Sequence, residues 1–417
     1  MCGRPFASVA SELVDESFHP LEQLEILDVK VADLQGLRDA DAVVECRIKQ
    51  LALHRVLRYL YDFPLQPLIR AEVALAEAYA MGGFHQQARD HLDMAREASD
   101  GGIMDDTQCQ MLHVDFLLSD GEICIAEGRC DEARKPLTEA VRRCREMFGE
   151  ADARGERAHR LLGKVARDLG QFPKAITHFT AAHAACCKRV HADSLEAVKL
   201  QLQLAEMQHS AQSFTEALRL QEEAIENLEI AGTAADLSDD VEIEGKEEKE
   251  DKDVKLKKGE KEEKEEKERV VRLARLRIDA MARLARWLDE QGREHEALTK
   301  LKSAEDTVKK ALKPDTPRAV DVKRDIALLQ LKLGESDTAL EYLSEVHYLE
   351  LRLHGSRSLN VGRTLKALGT VHMVRRHYAD AEHCLVQALR IFEIDPVANG
   401  LIIRDIHAKL DTIAAMH

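Results

Sequence analysis

Alanine returns along this chain on a nearly fixed step. It stands at positions 88, 133, 175 and 217, then at 297, 339 and 381; after a first interval of 45 the interval is 42, except for one of 80 between 217 and 297. Each of these alanines keeps the same company. Ala88 follows Leu75-Ala76-Glu77-Ala78-Tyr79 and Gly83-Phe84, and precedes Leu92 and Ala95. The pattern comes back as Gly121, Cys124, Gly128, Ala133, Leu137, Ala140, and as Leu162-Gly163, Ala166, Gly170, Ala175, Phe179, Ala182. Leu204-Ala205, Phe214, Ala217, Ala224 make a fourth copy, and Leu284-Ala285, Leu288, Gly292, Ala297, Leu301, Ala304 a fifth. Ala327, Gly334, Ala339, Leu343 and Leu368-Gly369, Tyr378, Ala381, Leu385, Ala388 complete the series. Copies in one register call for copies of one supersecondary unit. The small residues read as points where two helices approach closely, and the glycine between them ends the first helix at low steric cost.

The composition agrees with helices. Aromatic residues make up 4% of the 417 residues, with Gly 21 and Pro 9, against 45% apolar and 33% charged. Such a chain is poor in β-formers and breakers, which argues for an all-α fold and against a sandwich or barrel. From about Pro67 to Phe392 the motif resembles the tetratricopeptide repeat. That resemblance implies antiparallel pairs of helices, A and B, stacked into a right-handed α-solenoid or superhelix, with helix A lining the concave surface. A plain unit of this kind has about 34 residues, so the units here are longer by about eight. Their length, with links such as Met147-Phe148-Gly149-Glu150 and residues 353–361, is similar to the kinesin-light-chain subclass. The stretch Gly83-Phe84-His85-Gln86-Gln87-Ala88-Arg89-Asp90-His91-Leu92 also resembles the ciliary tetratricopeptide repeat protein 23 family.

The expected organisation follows the register. Residues 1–20 form a mobile N-terminus, 21–64 a degenerate capping helix pair, 65–230 units one to four and 269–396 units five to seven. Residues 397–417 form a capping helix with Ile402, Ile403, Ile406, Leu410 and Ile413 on its apolar face. Caps are needed because a terminal repeat would expose its core. Residues 231–268 are a charged, low-complexity insertion of about 38 residues, which accounts for the interval of 80. Positions 239–268 hold 15 acidic and nine basic residues and no aromatic, too little apolar surface to offset the entropy of ordering. A flexible loop is expected over 231–259. Beyond it, Glu260–Glu268 sets opposite charges three and four apart, which predicts a solvated helix running into 270–291 as an overlong helix A.

Several function classes are disfavoured. A net charge of −16 argues against nucleic-acid partners and anionic membranes. No apolar run approaches the roughly 20 residues that span a bilayer, and the start carries no apolar leader, so a cytoplasmic setting without membrane insertion is expected. Nine scattered cysteines suit a reducing compartment. There is no Gly-rich phosphate loop, Gly-x-Ser-x-Gly elbow or His-Glu-x-x-His, hence no expected catalytic residue, cofactor or enzyme activity.

What remains is recognition. At the positions that the resemblance assigns to the inner face of helix A, the sequence has Arg157, Arg160, Lys164 and Arg167, then Lys199, Arg283 and Arg286, then Arg324, Arg363 and Lys366. Arg70, Glu77, Asp115, Ser119 and Glu122 precede them on the same face. A basic groove on an acidic chain points to an acidic peptide or acidic protein surface, because guanidinium forks pair well with carboxylates. The alternative is a solvated face whose charges pair between neighbouring units. His183, Cys186, Cys187 and His191 share a helical segment, but no second short-spaced ligand pair accompanies them, so no metal site is expected. His372, His377 and His383 straddle a turn and are a weaker candidate still. The expected function is a non-enzymatic scaffold or adaptor, in a ciliary or cytoskeletal assembly by resemblance. A permanent structural subunit of an axonemal or microtubule-associated complex, or a regulatory subunit of an enzyme, is the alternative.

Overall fold

The computed structural model describes residues 19–37, 39–102, 104–236, 252–313 and 315–416. Among them are seventeen α-helices and no strand. The chain divides into two compact units, one built from residues up to Ala192 with Glu206–Ser213, the other from Asp193–Ala205 with Phe214 onward.

In the first unit the helices run α1 (Pro20–Leu37), α2 (Ala40–Tyr61), α3 (Leu65–Met81), α4 (His85–Asp100), α5 (Asp106–Ala126), α6 (Cys130–Phe148), α7 (Ala153–Asp168) and α8 (Phe172–Arg189). Helix α9 (Leu195–Ser210) gives its first residues to the second unit and its last to the first. The second unit continues with α10 (Phe214–Asp236), α11 (Lys252–Glu290), α12 (Glu294–Ala311), α13 (Pro317–Lys332), α14 (Ser336–His354), α15 (Leu359–Val374), α16 (Tyr378–Phe392) and α17 (Gly400–Ala414). Within each unit, consecutive helices pack side by side, and in the first unit α3, α5 and α7 also touch in succession. This is the tetratricopeptide solenoid architecture: α3, α5, α7, α9, α11, α13 and α15 are A helices, each followed by its B helix.

The periodic residues sit where the pairs cross. Ala88, Ala133, Ala175, Ala217, Ala297, Ala339 and Ala381 are all fully buried. Opposite them on helix A lie Ala76, Gly121, Gly163, Ala205, Ala285, Ala327 and Gly369, also buried. At Gly121 the approach is so close that a methyl group would sit 2.4 Å from Leu137 Cδ2.

The A-to-B turn repeats as faithfully. Gly83, Gly128, Gly170, Gly292 and Gly334 adopt φ between 69° and 87°, and Gln212 (64°) and Arg376 (60°) take the same left-handed conformation in the other two turns. The next residue's amide bonds back across the turn, as from Phe84 to the Tyr79 carbonyl (2.9 Å) and from His377 to the His372 carbonyl (2.9 Å). This is the Schellman closure, which satisfies the last helix-A carbonyls without side-chain help. The B-to-A links use side-chain caps instead: Asp105 accepts from the Gln108 amide (2.6 Å), Asp152 from Arg154 (2.9 Å) and Ser358 from Asn360 (3.2 Å).

The loop expected over 231–259 is shorter than the sequence reading. Helix α10 extends to Asp236 and α11 begins at Lys252, giving a 39-residue helix that enters the insertion from its far side. In its sequence, opposite charges three and four apart favour the helical state of this first part. The remainder of that loop and the terminal residues 1–18 lie outside the described residues. No helix among the described residues is long and apolar enough to cross a membrane.

Candidate functional site

The ten candidate cations fall in both units, and each set stands by itself. Arg157, Arg160, Lys164 and Arg167 lie on α7 in the first; Lys199, Arg283, Arg286, Arg324, Arg363 and Lys366 belong to the second.

On the first unit's helix-A face, the register brings α3, α5 and α7 together, and their charges find one another. Arg157 Nη2 donates to Glu77 Oε1 of α3 (2.7 Å) and Glu122 Oε2 of α5 (2.8 Å). The Ser119 hydroxyl donates to the same Glu77 oxygen (2.6 Å). Burial pushes the Glu77 carboxyl above its ordinary range against the pull of Arg157, and the neighbouring Glu122 adds to the push. Arg154, which the sequence reading passed over, donates to Asp115 (2.9 Å), with Arg70 3.5 Å from the same carboxylate. Arg157 is thus an internal strut between three repeats. Among the described residues Arg167 pairs only with its neighbour Asp168 (2.9 Å), in the open.

Arg160 and Lys164 differ. They sit one turn apart, half-buried, and among the described residues neither has a carboxylate at salt-bridge distance. Arg160 Nε is shut off from water and meets no acceptor. Burial first, then the adjacent Arg160, holds the Lys164 ammonium below its ordinary pKa, with Glu122 pulling the other way. Two cations are thus partly withdrawn from water side by side, with Glu122 offsetting Lys164 only from beyond ion-pair distance, an arrangement that a further anion would relieve.

In the second unit, Arg286 stands out from α11, 3.8 Å from Asp325 of α13, whose carboxyl is pushed up by burial. Both line a shallow cavity of about 200 Å³ with Asp289 and Lys332, over a floor of Ala282, Ala285 and Leu329. Lys332 bonds Asp289 (2.7 Å) and Glu294 (3.1 Å), so the cavity wall carries balanced charge. Lys366 is held by Asp405 of α17 (2.6 Å). Arg324 departs most from its expected place. It is turned between its own helix pair, on Asp321 (2.9 Å) and the fully buried Glu350 of α14, rather than lying along an open face. Arg363 and Lys199 are exposed and Arg283 half-buried.

His183 and Cys187 lie together on α8, Nε2 3.5 Å from Sγ, as their spacing suggests. The sequence reading grouped His372 and His377 with His383; the ligand atoms that converge at the α15–α16 turn are those of His372, His377 and Asp380. The left-handed residue Arg376 makes that convergence, and spacing alone does not reveal it.

A family model described as tetratricopeptide repeat matches residues 156–230. No curated protein matches the sequence. Among solved structures, the apo form of RapI superposes with TM-score 0.58 at 10% identity, over 95% of this chain and 97% of that one. A signal transduction ATPase with numerous domains from Pyrococcus horikoshii, bearing a tetratricopeptide repeat sensor, gives 0.54 at 14% identity over 82% of this chain and 43% of that one. The kinesin light chain TPR-like repeats of Podosopora anserina give 0.41 at 15% identity, over 57% and 95%. At these identities the likeness is one of fold.

Proposed function

We propose that this tetratricopeptide-repeat protein is a non-enzymatic scaffold that captures an acidic segment of a partner protein on the helix-A face of its first unit. The observation that carries the reading is the pair Arg160 and Lys164, half-buried and without a carboxylate partner among the described residues. The neighbouring Arg157 is already bridged to Glu77 and Glu122, which leaves Arg160 and Lys164 as the cations an incoming carboxylate would meet. A guanidinium and an ammonium one helical turn apart suit one Glu or Asp side chain flanked by extended backbone, and extended repeat faces are built for such segments. In the Pyrococcus ATPase the tetratricopeptide repeats are named as a sensor. A ciliary or cytoskeletal assembly is the setting that the sequence resemblance suggests.

The test is fluorescence anisotropy with a labelled oligoglutamate peptide. Affinity should fall with added salt and drop at least about tenfold in Arg160→Glu and in Lys164→Glu. Arg167→Glu, altering an exposed residue already next to Asp168, should change it far less. Equal affinities in all four proteins would reject the basic-face reading.

A further inference from the structure

His372 lies in the last turn of α15, His377 directly precedes α16, and Asp380 occupies the first turn of α16. Between the histidines the chain reverses through Arg376 at φ 60°. An imidazole nitrogen from each histidine and an Asp380 carboxylate oxygen all lie within 4.8 Å of one another. The two rings face each other, centroids 6.1 Å apart and planes 28° from parallel.

We propose that His372, His377 and Asp380 form a binding site for a divalent transition-metal ion, zinc by the nature of its donors, with at least one coordination position open to solvent or to a side chain of a bound protein. Two imidazoles and one carboxylate are a donor set that borderline ions accept and that magnesium or calcium do not favour. Ligand atoms on a tetrahedral zinc are about 3.4 Å apart, so small rotamer changes complete the geometry. Two further observations single this cluster out from an ordinary polar turn. His372 Nδ1 is buried and has no hydrogen-bond partner, a condition that ends if that nitrogen coordinates the ion. The nearby cation Arg375 is drawn away onto Asp337 (2.9 Å), so it does not occupy the Asp380 carboxylate. His383, the third histidine of the segment, is engaged instead with Gln387 (2.8 Å).

The experiment is titration of the full-length chain with Zn²⁺ by calorimetry and with Co²⁺ by visible d–d absorption. The wild type should bind one equivalent at this site. His377→Ala and the near-isosteric Asp380→Asn should each weaken it at least about tenfold and diminish the cobalt spectrum. His183→Ala, which alters the His183–Cys187 pair on α8, should leave both signals unchanged. Circular dichroism establishes that each variant folds. Binding and spectra unchanged in both His377→Ala and Asp380→Asn, or a loss confined to His183→Ala, would overturn the proposal.

Discussion

Replacing Gly121 by alanine tests the helix contact on which each repeat rests. In an exposed helix interior the change is favourable by about 1 kcal/mol, since alanine is the better helix former. Here the new Cβ would lie 2.4 Å from Leu137 Cδ2, 2.5 Å from its Cγ and 3.1 Å from its Cδ1, all well inside ordinary contact. Leu137 has no exposed surface and is enclosed by Leu118, Ala133 and Leu161. Because Cγ itself is overlapped, rotating a terminal methyl does not clear the clash; α5 and α6 must separate. Overpacking of this kind costs about 1–3 kcal/mol, more than the propensity gain. Gly121→Ala should therefore destabilise by up to about 2 kcal/mol, on the difference between the two effects. Leu137→Ala alone should cost about 2–5 kcal/mol. In that background the clash is gone, so adding Gly121→Ala should recover about 1 kcal/mol. The comparison substitution is Gly155→Ala on α7, where the nearest side-chain atom, Cys144 Cβ, is 3.4 Å from the new methyl. It should be neutral or mildly stabilising. Urea unfolding followed by far-ultraviolet circular dichroism, with unchanged m-values, measures all four variants. If Gly121→Ala stabilises as Gly155→Ala does, the helices are further apart than described and the small-residue argument fails.

Two further outcomes follow from the polar interior of the first unit. Arg157→Ala leaves Glu77 and Glu122 facing each other without their shared cation and should lower stability by about 1–3 kcal/mol, with Arg157→Lys recovering only part, as urea midpoints will show. His159, 3.3 Å from His178 between ring nitrogens, is pulled down to about 4 by burial first and by His178 second. Its folded pKa lies below the unfolded value near 6.5, so the unfolded chain takes up the proton first, and stability is lost as pH falls from about 6.5 towards 4. The site is partly open to solvent, so the loss should be on the order of 1–2 kcal/mol, and His159→Gln should flatten that segment of the pH profile.

The fold was legible because its determinants are small, periodic and local to each pair. Ala133 or Ala381 can be read as a crossing point without knowing what lies beyond the pair, and both are fully buried. The turn was legible through Gly83, Gly128, Gly170, Gly292 and Gly334, while Gln212 and Arg376 hide the same conformation behind ordinary side chains. The candidate face was legible only in outline. Register shows that Arg157 shares a face with Glu77 and Glu122, but not that one guanidinium reaches both, which depends on how closely α3, α5 and α7 stack. Nor does register distinguish Arg324, drawn inward by Glu350 on its own B helix, from Arg363, left outside. The insertion's helix was foreseen from its charge pattern, but its starting residue was not, since opposite charges three and four apart continue on both sides of Glu260 and mark no boundary.

The recurrence of one left-handed residue at a constant distance before each buried alanine has a consequence for how such a chain is lengthened. A cut at one of these joints, rejoined at the next, removes a whole period and leaves a junction with the geometry of the two it replaces. Duplication of the intervening segment adds a period on the same terms. The joints are in that sense interchangeable in backbone, while the side chains between neighbouring links, such as Arg157 on Glu77 and Glu122, are particular to their place.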